Sequence, residues 1–176
     1  MIDNHRVTFQ GASLISLITS DRRPRVASTT VQDFFEPQPA DLQAPSIYFL
    51  RQIIHDWANE WCIKILTQLR ANAGPHTKLI ISDIVTNYAC RIPSEEKAFA
   101  GIPGAVPAPA PEPLLANFGR GAARGYIMDY LMMALHNAQE RVVGEFIRLG
   151  EESGWKLTSA CTVENGTHAH LIFEPI

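Results

Sequence analysis

The stretch Phe49-Leu-Arg-Gln-Ile-Ile-His-Asp-Trp-Ala-Asn-Glu60 decides how this chain folds. The first part of this stretch belongs to a nearly continuous apolar run, Ser46–Ile54. Such a run is typical of a strand buried on both faces. Apolar residues then recur at helical spacing from Trp57 to Leu69. A strand that passes directly into a helix places the residue at the junction, His55, at the carboxyl edge of a sheet. Open α/β sheets bind their ligands at this edge.

A second buried strand follows the helix. Gly74-Pro75 ends the helical pattern, and the run Lys78–Val85 is again apolar. Two buried strands joined by a helix of this length form a βαβ unit, which implies parallel pairing with a right-handed crossover. We therefore expect Ile47–Ile54 and Lys78–Val85 to be adjacent parallel strands in an α/β fold.

The rest of the chain predicts a loop, a helix and a hairpin. Proline recurs almost every second residue in the segment 101–113, which indicates a flexible or polyproline-like loop. A single helix is predicted over Tyr126–Glu151, with Ile127, Leu131 and Leu135 among the candidates for its buried face. Two strands, Trp155–Val163 and Ala169–Phe173, are predicted to be joined by a turn at Asn165-Gly166.

Composition narrows the class of protein. The 176 residues are 46% hydrophobic and carry a net charge of −3, so they have the size for one domain with a core and no basic surface for nucleic acid. The cysteines Cys62, Cys90 and Cys161 form no close pair, which predicts reduced thiols and a cytoplasmic protein. No signal peptide and no membrane span is predicted.

His55 is the first candidate for chemistry. A phenolic hydroxyl has a pKa near ~10, and a neutral imidazole, with a pKa near ~6.5, is suited to remove its proton at neutral pH. The spacing alone favours a structural role, in which the histidine caps the following helix or has its hydrogen bonds satisfied at the end of the strand.

The pattern Leu50-Arg-Gln-Ile-Ile-His-Asp-Trp-Ala-Asn-Glu60 resembles the His-Asp-Trp motif of class I S-adenosylmethionine-dependent O-methyltransferases, the caffeate-type enzymes and their fungal relatives. The resemblance implies the carboxyl-terminal part of a Rossmann-like sheet with an antiparallel final hairpin. It also implies S-adenosylmethionine as cofactor and a small phenolic or polyketide-like substrate of secondary metabolism. His55 would be the general base, and Asp83 and Glu140, the latter on the last long helix, would flank and orient it.

The same resemblance assigns five further residues. Asp33 and Phe34 would contact adenine, and Arg51 would lie near the carboxylate of the cofactor. Met132 and Asn137 would line the substrate pocket. Ordinary structural roles remain open for these residues, since a methionine on a helix is often a core residue and an arginine often extends over the surface.

Two other sequence patterns, one of glycines and one of histidines, do not indicate a binding site. The segment Gly119-Arg-Gly-Ala-Ala-Arg-Gly125 follows a proline-rich loop and no strand, so it does not fit a dinucleotide-binding turn. His168 and His170 would share one face of a strand, but no third metal ligand is near them in the sequence. We therefore predict no metal site.

The chain also departs from the family pattern. No glycine-rich turn precedes His55, so residues 46–176 would be the carboxyl-terminal part of a catalytic domain. Residues 1–45 are irregular, and their segment 11–31 is either a surface loop or translated intron sequence. A homodimer, or a separate chain that supplies the missing half, would be the protein partner. The alternative function is a truncated or repurposed family member that transfers no methyl group, such as an accessory subunit or a pericyclase-like protein.

Overall fold

A computed structural model describes residues 33–39, 43–90, 101–105, 109–162 and 168–176. It contains a four-stranded mixed sheet with helices packed on it. The strands are β1 (Ile47–Arg51), β2 (Lys78–Ile84), β3 (Trp155–Thr162) and β4 (His168–Pro175), and the helices are α1 (Asn59–Ala71), α2 (Ala123–His136) and α3 (Val143–Glu152). The spatial order of the strands is β1-β2-β4-β3.

The predicted parallel pair is present. β1 and β2 pair in parallel, with Ile47 opposite Lys78 and Arg51 opposite Ser82. The first strand is shorter than predicted, because Gln52 has a φ of 52° and turns the chain out of the sheet. Ile54, predicted to belong to the strand, begins a short 3-10 turn instead. His55 therefore lies just beyond the carboxyl end of β1, on the connection to α1.

The final two strands form an antiparallel pair, as predicted. β4 lies between β2 and β3 and runs antiparallel to both, and it extends beyond the predicted Ala169–Phe173. The predicted turn at Asn165-Gly166 and the segment 11–31 lie outside the described residues.

The prediction of one helix over Tyr126–Glu151 was wrong. The chain forms α2 and α3 with a non-helical break between them, because Asn137 adopts a left-handed conformation with a φ of 53°. Leu135, predicted to be buried, is 70% exposed, and Ile127 and Leu131 are exposed as well. Asparagine is one of the few residues that adopt this conformation readily, so it can end a helix without glycine.

The core lies between the sheet and the helices α1 and α3. Side chains alternate along β2 and β4, so that every second one enters this core; its members include Leu66, Leu79, Phe146, Leu171 and Phe173. Trp155 is fully buried, and its indole N–H donates a hydrogen bond of 3.1 Å to the carbonyl oxygen of Leu66.

The described parts of the proline-rich loop contain neither helix nor strand. Residues 101–105 cover the outer edge of β3, where the N–H of Ala160 donates to the carbonyl oxygen of Pro103 at 2.8 Å. Gly104, with a φ of 74°, lies so close to β3 that a Cβ there would be 1.9 Å from the Ala160 carbonyl oxygen. In the parts of the chain that the structure describes, no helix has the length and apolarity needed to span a bilayer.

Candidate active site

His55 is buried on the short turn Ile54–Asp56, between β1 and α1. Its Nδ1 lies 3.0 Å from Oε1 of Glu140. A carboxylate can only accept here, so Nδ1 carries the proton and donates it. The other ring nitrogen, Nε2, is 3.6 Å from Oδ1 of Asp56. The contact with Glu140 thus leaves Nε2 as the basic nitrogen when the ring is neutral.

Glu140 is not on a helix, contrary to the prediction from the sequence. It lies in the break between α2 and α3, because Asn137 has already ended α2. Its side chain is fully buried, and its backbone N–H donates to Oδ1 of Asp129 on α2 at 2.8 Å. The following residue, Arg141, forms a parallel bridge with Val85 at the end of β2. These backbone contacts hold the carboxylate of Glu140 against the imidazole.

Asp83 lies near the carboxyl end of β2 and is fully buried. Neither of its carboxylate oxygens has a side-chain hydrogen-bond partner among the described residues, and the backbone N–H of His55 lies close enough to favour its charged form. Burial raises the pKa of Asp83 from 3.8 to about 7, opposed by the charge of His55 and reinforced by that of Glu140. Asp83 interacts electrostatically with His55, but Glu140 makes the direct hydrogen bond to the ring.

The pKa of His55 reflects opposing effects. Burial acts to lower it, but the hydrogen bond to Glu140 and the negative charges of Asp83, Glu140 and Asp56 outweigh burial. The net result is a pKa above the ordinary value of 6.5. The site therefore favours a proton on the imidazole, which is the property required of a group that takes a proton from a bound hydroxyl.

The three cofactor candidates lie at or near this end of the sheet. Phe34 packs edge to face on Trp57, with ring centroids 5.8 Å apart, so its ring lies close to the start of α1. Asp33 is exposed, and its Oδ1 accepts a hydrogen bond of 2.9 Å from the N–H of Phe35. Arg51 is the exposed last residue of β1. Contact of these residues with a cofactor stays a prediction.

The two substrate candidates have different surroundings. Met132 is buried in α2, whereas its neighbour Met133 is 57% exposed. Asn137 is exposed at the end of α2, and its backbone N–H donates to the carbonyl oxygen of Met133 at 3.2 Å. The left-handed conformation of Asn137 explains why α2 ends there. A role in substrate binding stays a prediction for both Met132 and Asn137.

Two further features concern sequence patterns that do not indicate a site. The segment Gly119–Ala122 is a short 3-10 turn that leads into α2, and it follows a loop and not a strand. No group of three potential metal ligands occurs within the described ranges of the chain.

Arg141 is a residue that the sequence did not single out. It is almost fully buried, and its guanidinium group donates hydrogen bonds to the backbone of the turn that carries His55. The only signal in the sequence was its position directly after Glu140, and an arginine beside a glutamate is usually a surface pair of little consequence.

Comparison with known proteins identifies relatives of this chain. Residues 16–101 match the family model described as an O-methyltransferase domain. The 4-O-methyltransferase 1 of Phanerochaete chrysosporium is 42% identical over 139 residues, which are 79% of this chain and 29% of that protein. An O-methyltransferase of Armillaria gallica is 39% identical over 149 residues, covering 82% of this chain and 30% of the relative. The chain thus spans less than a third of the length of these two relatives.

The fold is also found in solved structures. The structure of the mitomycin 7-O-methyltransferase MmcR superimposes with a TM-score of 0.62 at 20% identity, covering 86% of this chain and 35% of the other. At this identity the likeness concerns the fold. The four-stranded sheet with its antiparallel final pair corresponds to the carboxyl-terminal half of a Rossmann-like methyltransferase sheet.

Proposed function

This chain belongs to the O-methyltransferase family, and from that premise we propose that it is the base-bearing part of an S-adenosylmethionine-dependent O-methyltransferase of secondary metabolism. Its substrate would be a small molecule with a phenolic or polyketide-like hydroxyl group. The observation that carries the proposal is the buried hydrogen bond of 3.0 Å between Nδ1 of His55 and Glu140.

In this proposal His55 is the general base. Its Nε2 takes the proton of the substrate hydroxyl, and the ring becomes an imidazolium. The carboxylate of Glu140 holds the ring in the tautomer that leaves Nε2 free, and it stabilises the positive charge that forms. A positioned base of this kind typically contributes about 10²- to 10⁴-fold to a rate.

Asp83 would tune this base through its charge, without a hydrogen bond to the imidazole ring. With a pKa of about 7, its carboxyl group is partly protonated at neutral pH. Its negative charge raises the pKa of His55, so loss of the proton from Asp83 makes the imidazole a stronger base.

S-adenosylmethionine, when bound, supplies an electrophilic methyl group on a positively charged sulfur. Three residues fit parts of this molecule: the ring of Phe34 suits adenine, the carboxylate of Asp33 suits polar groups of the nucleoside, and the exposed guanidinium of Arg51 suits a carboxylate. These residues would hold the cofactor beside the His55 turn, because Phe34 already packs on Trp57.

The experiment compares methyl transfer by the wild-type protein and by His55→Asn, with S-adenosylmethionine labelled in the methyl group and a panel of small phenols and polyketide-like hydroxyl compounds. His76→Asn is the matched control, because His76 is exposed on the turn between α1 and β2. We expect His55→Asn to lose about 10²- to 10⁴-fold in kcat and His76→Asn to keep the wild-type rate.

Two results contradict the proposal. An unchanged kcat in His55→Asn would show that His55 is not the base. Binding of the cofactor by the wild-type protein without transfer to any acceptor would favour the alternative, a family member that performs no methyl transfer.

A further inference from the structure

We propose that Arg141 is a positioning residue that holds the backbone of the His55 turn, so that the imidazole stays on Glu140. The inference rests on the proposed role of His55 as the base, but its test measures the state of the imidazole ring and needs no turnover.

The contacts of Arg141 bracket His55 on both sides. One terminal nitrogen of the guanidinium, Nη1, donates to the carbonyl oxygen of Ile54 at 2.8 Å. The other, Nη2, donates to the carbonyl oxygen of Trp57 at 2.8 Å. These carbonyl groups precede His55 and follow Asp56, so one planar group spans the whole turn.

The same guanidinium connects the turn to the next helix. Its Nε and Nη2 lie 3.1 and 2.8 Å from Oδ1 of Asn59, the first residue of α1. The thiol of Cys62 also lies within hydrogen-bond distance of the carbonyl oxygens of Ile54 and Trp57, at 3.3 and 3.2 Å. A thiol is a weak donor with a single proton, so Arg141 remains the main partner of both carbonyls.

Arg141 and Glu140 are consecutive residues that hold two different parts of the turn. The side chain of Glu140 binds the imidazole, and the side chain of Arg141 binds the backbone that carries it. The N–H of Thr86 donates to the carbonyl oxygen of Arg141 at 3.0 Å, which fixes this dipeptide to the end of β2. A shift of the turn relative to β2 would therefore move the ring away from Glu140.

A lysine at this position would keep the charge but not the geometry. An ammonium group is a point donor, whereas the guanidinium presents five N–H donors in a rigid plane. Lysine has its three donors on one nitrogen, so it cannot reproduce the contacts that Nη1, Nη2 and Nε make at separate points. Arg141→Lys therefore separates the role in positioning from the role of the charge.

Arg70 provides a matched control. It is an arginine that also binds backbone carbonyls, with Nε 3.0 Å from the carbonyl oxygen of Gly154 and Nη2 2.8 Å from that of Ile176. It lies at the end of α1, whereas the His55 turn precedes the start of that helix. Arg70→Lys thus loses an equivalent set of contacts outside the site.

The experiment records the ring nitrogens of His55 by two-bond ¹H–¹⁵N NMR across a pH titration of the intact chain, together with thermal unfolding of each variant. In Arg141→Lys we expect the ratio of the Nδ1–H to the Nε2–H tautomer to fall by about tenfold, because a charge-assisted hydrogen bond is worth at least that factor. The pKa of His55 should fall as well, since the bond to Glu140 raises it. Arg70→Lys should lose stability with both properties unchanged.

A folded Arg141→Lys variant with the wild-type tautomer ratio and pKa would overturn the proposal and leave Arg141 a purely stabilising role. If Arg141→Lys does not fold, Asn59→Ala takes its place, because it removes only the third acceptor of the guanidinium. A smaller shift of the tautomer ratio in the same direction supports the proposal, and an unchanged ratio refutes it.

Discussion

The buried carboxyl group of Asp83 should make the protein less stable as the pH rises, and Asp83→Asn tests this. The side chain is fully buried, and its oxygens lack side-chain hydrogen-bond partners in the described parts of the chain. Burial is the main reason that its pKa rises from 3.8 to about 7. Asparagine has nearly the same shape and stays neutral at every pH.

The sign follows from counting protons. Between pH 3.8 and about 7 the folded protein keeps the proton on Asp83, whereas the unfolded chain has lost it. The folded state then binds more protons, so the free energy of unfolding falls as the pH rises through this window, by at most about 1.4 kcal/mol per pH unit. The full loss is on the order of 4 kcal/mol.

His55 adds an effect of the same sign at higher pH. Its folded-state pKa is raised above 6.5, so the stability it contributes is present below pH 6.5 and is lost as the pH rises through the folded-state value. Comparison of Asp83→Asn with the wild-type protein at each pH isolates the contribution of Asp83 together with the part of the His55 shift that the charge of Asp83 causes.

Urea unfolding followed by tryptophan fluorescence measures the effect at several values between about pH 4 and pH 8. We expect Asp83→Asn to match the wild-type protein at the acidic end and to exceed its free energy of unfolding at the basic end. Asp33→Asn, which removes an exposed carboxylate, is the control for the loss of one negative charge. A difference between Asp83→Asn and wild type that does not change with pH would refute the reasoning.

One further measurement tests each of three other features: the charge beside the base, the proline-rich loop and the cofactor site. Glu140→Gln should lower the pKa of His55 in an NMR titration, because Glu140 raises that pKa. The control Glu145→Gln should leave it unchanged. Equal His55 titration curves for Glu140→Gln and the wild-type protein would contradict this prediction. Gly104→Ala should cost about 2 kcal/mol or more in thermal unfolding, because a Cβ would strike β3, and Gly101→Ala, with open space around it, should cost far less. Calorimetric titration of the 176-residue chain should show weak binding of S-adenosylmethionine, since no glycine-rich turn follows a strand in the described residues. Tight stoichiometric binding would contradict this prediction.

The parallel pair could be predicted from the sequence because its signals are local and strong. The runs that form β1 and β2 are apolar almost without interruption, which is typical of strands covered on both faces. The helical spacing between them fixed the type of connection, and the connection fixed the direction of pairing. The position of His55 at the carboxyl edge followed from these two facts without any knowledge of its partners.

The break between α2 and α3 could not be predicted in the same way. The residues around Asn137 include no glycine or proline, and the apolar spacing continues across them. Asparagine tolerates both helical and left-handed backbone, so the sequence alone did not say which it adopts. The exposure of Leu135 shows a related limit, because periodicity identifies an apolar face but not whether another part of the chain covers it.

The break also explains how the site is assembled. In a continuous helix, Glu140 and Arg141 would project about 100° apart around one axis, at positions set by the helix. In extended backbone, consecutive side chains point to opposite sides, so neighbouring residues can reach separate targets. Because Asn137 ends α2 and Arg141 pairs with Val85, Glu140 reaches the imidazole of His55 and Arg141 reaches the carbonyl groups on either side of it. The element that the sequence did not predict is therefore the one that brings the residues of the candidate site together.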